Sequence, residues 1–523
     1  MVRRRELGTQ DALWLVMDRP NNLMVVDCVM WTAEPLDLER TKAVMAERLW
    51  DRYPVFRSRA ERDGDGSWWW VEDPGASFES LVDHVVLDDP DDPRCLQELV
   101  ASLRSEPLGL DGPLWRVILV EEYLGGSALV TRSHHAVADG MRMMQLAASL
   151  FDATPQGGPI LTPAPEQYAA RSEHEEPGAL ERLRSSADAL RRQAAGTAEA
   201  VVATTNATSD LARRAPGVVG AGLGAARVAL TNPLGAAHGW ITGTWAGATD
   251  AVASAGHRVG DAVAGSGPLV DVFSAAVGDV DTVRKLFLGT RNDATVWSGP
   301  AGADKAVGWS EPLPLERVKS VAHAQGATVN DVLVACVAGT LRAYLASRGE
   351  HCASVAVMVP VNLTPMDLTL PEDLGNSFAL VQLELPTDEE DPLVVLRTVH
   401  HRMERIKHGH EAAVAFRIQE TLAGLGRSVY EASVDLLANR TIGVLTNVPG
   451  PPMPVYLAGA EVQGMTGWAP LSGDQPLSFT IYSYNGSVTV GIACDRTLVP
   501  DHELIVDGFA AAFEELTSTA GVP

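Results

Sequence analysis

Cysteine is scarce and scattered in this chain. Cys28, Cys95, Cys336, Cys352 and Cys494 are odd in number, widely spaced and contain no Cys-x-x-Cys pair. Neither a disulfide framework nor a zinc site is expected, and a reducing compartment fits better than secretion. Positive charge is also short: 41 Lys and Arg face 67 Asp and Glu, a formal net charge of -26. So acidic a chain lacks the basic footprint that nucleic-acid phosphates require. No run reaches the roughly 18 uninterrupted apolar residues of a spanning helix. The opening Met1-Val2-Arg3-Arg4-Arg5-Glu6 carries charge with no apolar stretch behind it, so a cytoplasmic or peripherally bound protein is expected. Three catalytic signatures are missing as well: a Gly-x-Ser-x-Gly elbow, a Walker-type phosphate loop and a dinucleotide fingerprint. Their absence argues against serine-hydrolase and nucleotide-dependent chemistry, and favours direct transfer over an acylated side chain.

What the chain does have is apolar material, 46% hydrophobic residues over 523 positions. That exceeds what one core normally organises and predicts a multi-domain protein of mixed α/β type. Residues 24–31 alternate as a strand, and 38–50 have helical spacing behind Asp37, a good cap. Residues 115–120 and 127–133 are predicted as strands joined through Gly125-Gly126, and helical spacing follows over 141–151. The second half opens near Pro312 with helices over 315–325 and 329–347 and strands over 354–361, 378–385 and 442–446. Strands over 477–484 and 487–493 flank Asn485-Gly486, a type I′ hairpin signal, and a closing helix over 501–516 follows Pro500.

The most distinctive stretch is His134-His135-Ala136-Val137-Ala138-Asp139-Gly140. It falls where a predicted strand exits into a predicted helix, a junction that holds side chains firmly. A His-His pair alone is usually structural. Joined to Asp-Gly at a fixed offset, the pattern arises by chance on the order of once in a thousand chains of this size. A neutral imidazole takes the proton of a hydroxyl and returns it to a leaving group, which suits acyl transfer from a thioester to an alcohol. His135 is the expected base, with His134 shaping the turn. Asp139 is expected to anchor the loop by pairing with a buried arginine, for which Arg57, Arg59 and Arg116 are candidates, and Gly140 to permit a close backbone turn.

Further motifs stand in a consistent order: Gln10-Asp11-Ala12-Leu13-Trp14, Pro113-Leu114-Trp115, Thr328-Val329-Asn330-Asp331-Val332-Leu333, Leu374-Gly375-Asn376 and Thr446-Asn447-Val448-Pro449-Gly450-Pro451. With the His motif, they resemble the bacterial wax ester synthase/diacylglycerol acyltransferases, part of a wider superfamily of His-His-x-x-x-Asp-Gly acyltransferases and condensation domains. The likeness covers nearly everything outside about 153–297. Where such proteins often carry an arginine, this chain reads Pro360-Val361-Asn362-Leu363-Thr364-Pro365, and no role of that arginine is carried over.

The resemblance implies an α/β fold of two chloramphenicol-acetyltransferase-like lobes with mixed sheets, residues 1–152 and 298–523, around an inter-lobe insertion at 153–297. It implies an acyl-CoA-dependent O-acyltransferase making triacylglycerol from diacylglycerol, wax esters from long-chain alcohols, or both. Acyl-CoA is then a co-substrate and no cofactor is required; the location is cytoplasmic, with peripheral contact at the inner membrane or lipid inclusions. Two other readings stay open. One is a condensation-like enzyme with a carrier-protein-bound acyl donor, although no fused carrier domain is evident. The other is a catalytically silent lipid-inclusion coat protein, against which the intact His motif argues.

Each remaining motif has a structural reading beside the functional one. Asn330 and Asp331 open a predicted helix as good caps, or line the cleft facing His135. Pro113, Leu114 and Trp115 enter a strand, where packing or an acyl-channel wall outweighs chemistry, and Gly375 and Asn376 are expected to support the site. Asn447 ends a strand before a constrained turn; loop shaping is the default and donation to an oxyanion the alternative. His400, His401, His408 and His410 lie among Arg402, Arg405 and Lys407, a solvated cationic face rather than a metal site. The segment 153–297 shifts toward Ala, Gly, Val and Thr and is expected to be mostly helical or flexible. Residues 180–190 with Arg182, Arg184, Arg191 and Arg192 form a candidate amphipathic helix, and Trp240, Trp245 and Phe273 are apolar anchors. Contact with a lipid surface and a plain linker are equally open readings of it.

Overall fold

The structure, a computed structural model, describes residues 3–64, 66–158, 160, 294–362, 370–371, 374–376, 378–409, 411–412, 415–416 and 438–522. The expected amphipathic helix, the apolar anchors Trp240, Trp245 and Phe273, and His410 lie outside the described residues.

The amino-terminal half begins with β1 (Arg4–Glu6), α1 (Thr9–Met17), β2 (Val25–Thr32) and α2 (Leu38–Met45). Asp37 caps α2, its carboxylate accepting from the Arg40 N–H at 2.8 Å, and a π-helical turn at Ala46–Trp50 completes the helix that the sequence predicts. Next come β3 (Ser58–Arg62), β4 (Trp68–Glu72), β5 (Val82–Val85) and α3 (Pro93–Arg104). The half ends with β6 (Trp115–Tyr123), β7 (Gly126–His134) and α4 (Gly140–Leu150). The β6–β7 hairpin turns at Leu124 and Gly125, with φ of 51° and 85°, one residue earlier than Gly125-Gly126. Gly126 belongs to the strand, where a Cβ would lie 1.8 Å from the Thr32 carbonyl oxygen.

The carboxy-terminal half runs through β8 (Lys305–Trp309), β9 (Leu313–Pro314), α5 (Leu315–Gln325), α6 (Val329–Ser347), β10 (Ser354–Asn362) and β11 (Phe378–Pro386). It continues with α7 (Pro392–His408), β12 (Gly443–Pro449), β13 (Tyr456–Leu457), β14 (Ala460–Trp468), β15 (Leu477–Tyr484), β16 (Ser487–Asp495) and α8 (Glu503–Thr519). Asn485 and Gly486 turn the β15–β16 hairpin with φ of 44° and 78°, the type I′ geometry their sequence signals. By length and composition α6 passes for a membrane span, but 67% of its apolar window is buried inside the protein. It is a core helix.

Three sheets organise these strands: β1-β4-β3; β13-β14-β2-β7-β6-β5; and β11-β10-β12-β15-β16-β8, with β9 also on β16. Both larger sheets are mixed, β5 running parallel to β6 in one, and β12 parallel to β10 and β15 in the other. Two strands from late in the chain join the amino-terminal sheet, β13 at its edge and β14 beside it, which pairs antiparallel with β2 and places Met465 opposite Met30. Beneath this junction the buried carboxylate of Asp27 accepts from Arg104 at 2.7 Å and Arg132 at 2.9 Å, while Arg104 also donates to the Ala469 carbonyl. Charges so buried persist only when paired this fully. The apolar core of the amino-terminal half closes around Ala136, Val137 and Ala138, with Leu15, Val25, Leu114, Leu146 and Leu374 in the same cluster.

Candidate active site

Backbone bonds set the position of the His-His-x-x-x-Asp-Gly loop before any side chain does. His134 closes β7, its N–H donating to the Leu114 carbonyl at 2.9 Å, and the next N–H, of His135, donates to the Met24 carbonyl at 2.8 Å. Further on, Gly375 from the carboxy-terminal half pairs with the loop, its N–H donating to the Val137 carbonyl and its carbonyl accepting from the Asp139 N–H, both at 3.2 Å. Gly375 has φ of 63°, and a Cβ there would lie 3.1 Å from Asp11 Oδ2. A side chain at this position is therefore both strained and crowded.

Three neighbours enclose the His135 ring, which is 6% exposed. Trp14 stacks on it with centroids 3.9 Å apart, Phe378 tilts against it at 5.7 Å, and Asn376 Oδ1 lies 2.9 Å from Nδ1. Asn376 in turn donates both amide hydrogens, to Asp11 Oδ1 at 2.8 Å and to the His135 carbonyl at 2.9 Å. Burial pushes the imidazole down from 6.5 to about 4, opposed by the nearby Asp139 carboxylate and the Asn376 bond. The ring is therefore neutral at physiological pH. Burial raises the Asp11 carboxyl above its ordinary value, and the Asn376 bonds, with Arg5 and Arg142 nearby, pull it back. Asp11, Trp14 and Phe378 escaped notice as site residues in the sequence. Trp14 is the third residue after Asp11, the i, i+3 spacing that puts two side chains on one face of a helix.

His134, expected to shape the turn, bonds within it. It is 1% exposed, and its Nδ1 accepts from the Ala136 N–H at 3.1 Å while Nε2 faces the Asp18 carboxylate at 3.7 Å. Asp139 is the N-cap of α4, its carboxylate accepting from the Arg142 N–H at 3.0 Å. The three arginines considered as its partners are engaged elsewhere: Arg57 with Glu72, Arg59 with Glu61 and Asp73, and Arg116 with Asp83. Nor does Gly140 make a close turn. It is the exposed first residue of α4, and a Cβ there would meet nothing within 4 Å.

Leu114 and Trp115 are fully packed, with the indole Nε1–H of Trp115 donating to the Phe56 carbonyl at 2.7 Å among Trp50, Phe56 and Phe78. Pro113 is half-buried and bridges to Arg59. Asp331 and Thr328 form a reciprocal capping box at the start of α6, and the Asp331 carboxylate also meets His400 Nδ1 at 2.8 Å. Asn330 Oδ1 accepts from Asn447 Nδ2 at 3.0 Å. These side chains bond to one another and to His400, not to His135. His408 pairs with Glu404 on α7. No disulfide joins any of the five cysteines, and burial pushes the Cys28 and Cys494 thiols up to about 12.

A buried neutral imidazole with a free ring nitrogen, mounted at the junction of two mixed α/β lobes, defines an acyltransferase of the His-His-x-x-x-Asp-Gly type. The profile of the wax ester synthase/diacylglycerol acyltransferase catalytic domain matches residues 7–242, and that of the WS/DGAT C-terminal domain matches 374–517. Two Mycobacterium tuberculosis proteins are similar at 25% identity. One, named "Putative diacylglycerol O-acyltransferase", aligns over 99% of this chain and 98% of its own; the other, named "Probable diacylglycerol O-acyltransferase", over 86% and 81%. Among solved structures, the wax ester synthase/diacylglycerol acyltransferase from Marinobacter aquaeolei VT8 superposes with a TM-score of 0.61 at 20% identity, covering 99% of this chain and all of that one. The first condensation domain of the calcium-dependent antibiotic synthetase shares the fold at a TM-score of 0.54 and 16% identity, covering 100% and 97%. The chain belongs to the wax ester synthase/diacylglycerol acyltransferase family and is an acyltransferase.

Proposed function

We propose that this acyltransferase moves a long-chain acyl group from acyl-CoA to the hydroxyl of a diacylglycerol, of a long-chain alcohol, or of both, with His135 as general base. The observation that carries the reading is the buried, neutral His135 ring, whose Nδ1 is taken by Asn376. Nε2 is then the ring atom left to accept a proton. It takes the alcohol proton as the alcohol oxygen attacks the thioester carbonyl. The tetrahedral intermediate collapses, the C–S bond breaks, and the proton passes from the imidazolium to the departing CoA thiolate, completing ester and thiol. Asp139 supports the loop as a helix cap and raises the proton affinity of the ring electrostatically. The open space over Gly140 leaves room for substrate. Leu114 and Trp115 act through packing, and Asn330, Asp331 and Asn447 by fixing the start of α6 against β12, an interior strand of the carboxy-terminal sheet.

The test mixes purified protein with labelled palmitoyl-CoA and either hexadecanol or diacylglycerol, beside His135→Ala. Ester formation lost on that substitution supports the reading. Transfer only from an acyl-carrier protein would favour the condensation-like alternative, and no transfer from any donor would favour a silent coat protein. Both acceptor classes partition into lipid, so we place the working protein in the cytoplasm at a membrane or inclusion surface. Flotation on anionic vesicles of a chain lacking residues 193–264 tests the middle segment in that role, which undiminished binding would remove.

A further inference from the structure

We propose that Asp11 is a positioning residue for His135, acting through Asn376: its carboxylate fixes the orientation of the Asn376 amide, which selects the Nδ1–H tautomer and leaves Nε2 as the base. The inference rests on the acyl-transfer reading for its consequence, but not for its geometry. A carboxamide presents an acceptor on one side and two donors on the other. In Asn376 both donors are used, one on Asp11 Oδ1 at 2.8 Å and one on the His135 carbonyl at 2.9 Å, and the oxygen meets His135 Nδ1 at 2.9 Å. Only an Nδ1 that carries hydrogen satisfies that oxygen.

Removing the Asp11 acceptor leaves the His135 carbonyl as the one remaining restraint of those two. A turn of the amide would then offer N–H to Nδ1 and favour the opposite tautomer, in which Nε2 carries hydrogen and cannot take the alcohol proton. In serine proteases a carboxylate sets the histidine tautomer by direct contact. Here a neutral amide stands between the two groups, so the carboxylate aligns the ring without accepting its proton. The surroundings are built for this arrangement. Asp11 and Trp14 share α1, so the helix that supplies the carboxylate also supplies the ring stacked on His135. Gly8 and Gly375 make the space, since a Cβ on either would lie 3.1 Å from Asp11 Oδ2.

The test combines nitrogen-15 NMR of histidine-labelled protein, the His135 signals being those missing from His135→Ala, with steady-state kinetics and thermal melts of Asp11→Ala and Asp11→Asn. Wild type is expected to show the Nδ1–H tautomer. Asp11→Ala should gain the Nε2–H form and lose at least about tenfold in kcat, with KM for acyl-CoA within about twofold. Asp11→Asn, whose side-chain oxygen still accepts from Asn376, should stay within about threefold of wild type in kcat. An Nε2–H tautomer in wild type overturns the proposal. So does a folded Asp11→Ala with wild-type turnover and tautomer, or an Asp11→Asn as impaired as Asp11→Ala. Should Asp11→Ala fail to fold, the wild-type tautomer and Asp11→Asn decide. Wild-type protein inactive with every donor would overturn the acyl-transfer reading alone, because the tautomer is read without turnover.

Discussion

The indole of Trp14 lies nearly flat on the imidazole of His135, ring centroids 3.9 Å apart and planes 20° from parallel. It removes water from one face of the ring, and burial is the largest influence lowering the basicity of that ring. Trp14→Leu keeps an apolar residue on α1 but uncovers the face. The His135 titration should then move up from about 4 toward its ordinary 6.5. The acid limb of kcat/KM against pH is the measurement, and a limb unmoved by the substitution would show that Trp14 does not exclude water.

The same burial ties stability to pH. Between 6.5 and about 4 the unfolded ring binds a proton that the folded ring refuses, so the unfolded state holds more protons and stability falls as pH falls. Above 6.5 the group contributes no slope. The difference amounts to about 2 kcal/mol at pH 5. Urea midpoints at pH 5 and 7 for wild type and His135→Gln should differ by that increment, smaller in the variant.

The two histidines should separate in kinetics. His135→Ala is expected to lose about 10² to 10⁴ in kcat, far beyond what its loss of the Trp14 stack and the Asn376 bond takes from stability. His134→Ala removes the buried acceptor of the Ala136 N–H, at about 1 to 3 kcal/mol, and its turnover loss should follow its loss of fold. Equal kinetic damage at equal stability would reassign the base.

Asp139 caps α4 through a backbone N–H, a task Asn performs as well as Asp. Asp139→Ala should lower stability by about 0.5 to 2 kcal/mol. Asp139→Asn keeps a side-chain oxygen to cap the helix and should melt above Asp139→Ala, yet turn over severalfold more slowly than wild type, because the lost charge no longer offsets the burial of His135. Matched melting temperatures for the two variants would contradict the capping role.

At the start of α6, Asp331 is fully buried in a capping box and bonded to His400. Asp331→Ala should cost about 2 kcal/mol or more, seen in the denaturant midpoint, with kcat per folded molecule unchanged. A selective kcat loss would move Asp331 into the reacting site.

Much of the fold was legible because its strongest signals are local. Helical spacing over 315–325 and 329–347 and the Asn485-Gly486 turn match the structure to the residue. The family motifs placed His135, Asn376 and Gly375 in one site. What escaped depends on distant partners. β1, β3, β4, β5 and β14 have weak or mixed alternation and are strands because other strands flank them. The role of Asp11 is invisible until Asn376, from the other end of the chain, folds back onto it. Asp139, expected to anchor the loop through a buried arginine, also heads α4, where a carboxylate is at home near unpaired N–H groups. Gly140, expected at a close backbone turn, is the exposed first residue of α4.

β14 completes a sheet whose other principal strands are made first. During synthesis β2, β6 and β7 leave the ribosome long before Met465 exists to sit against Met30, so until translation nears its end the nascent amino-terminal lobe exposes an open strand edge beside β2. Such an edge invites pairing with other chains. Truncation before residue 460 should therefore yield an aggregating fragment, and the two halves are better suited to co-expression than to separate purification.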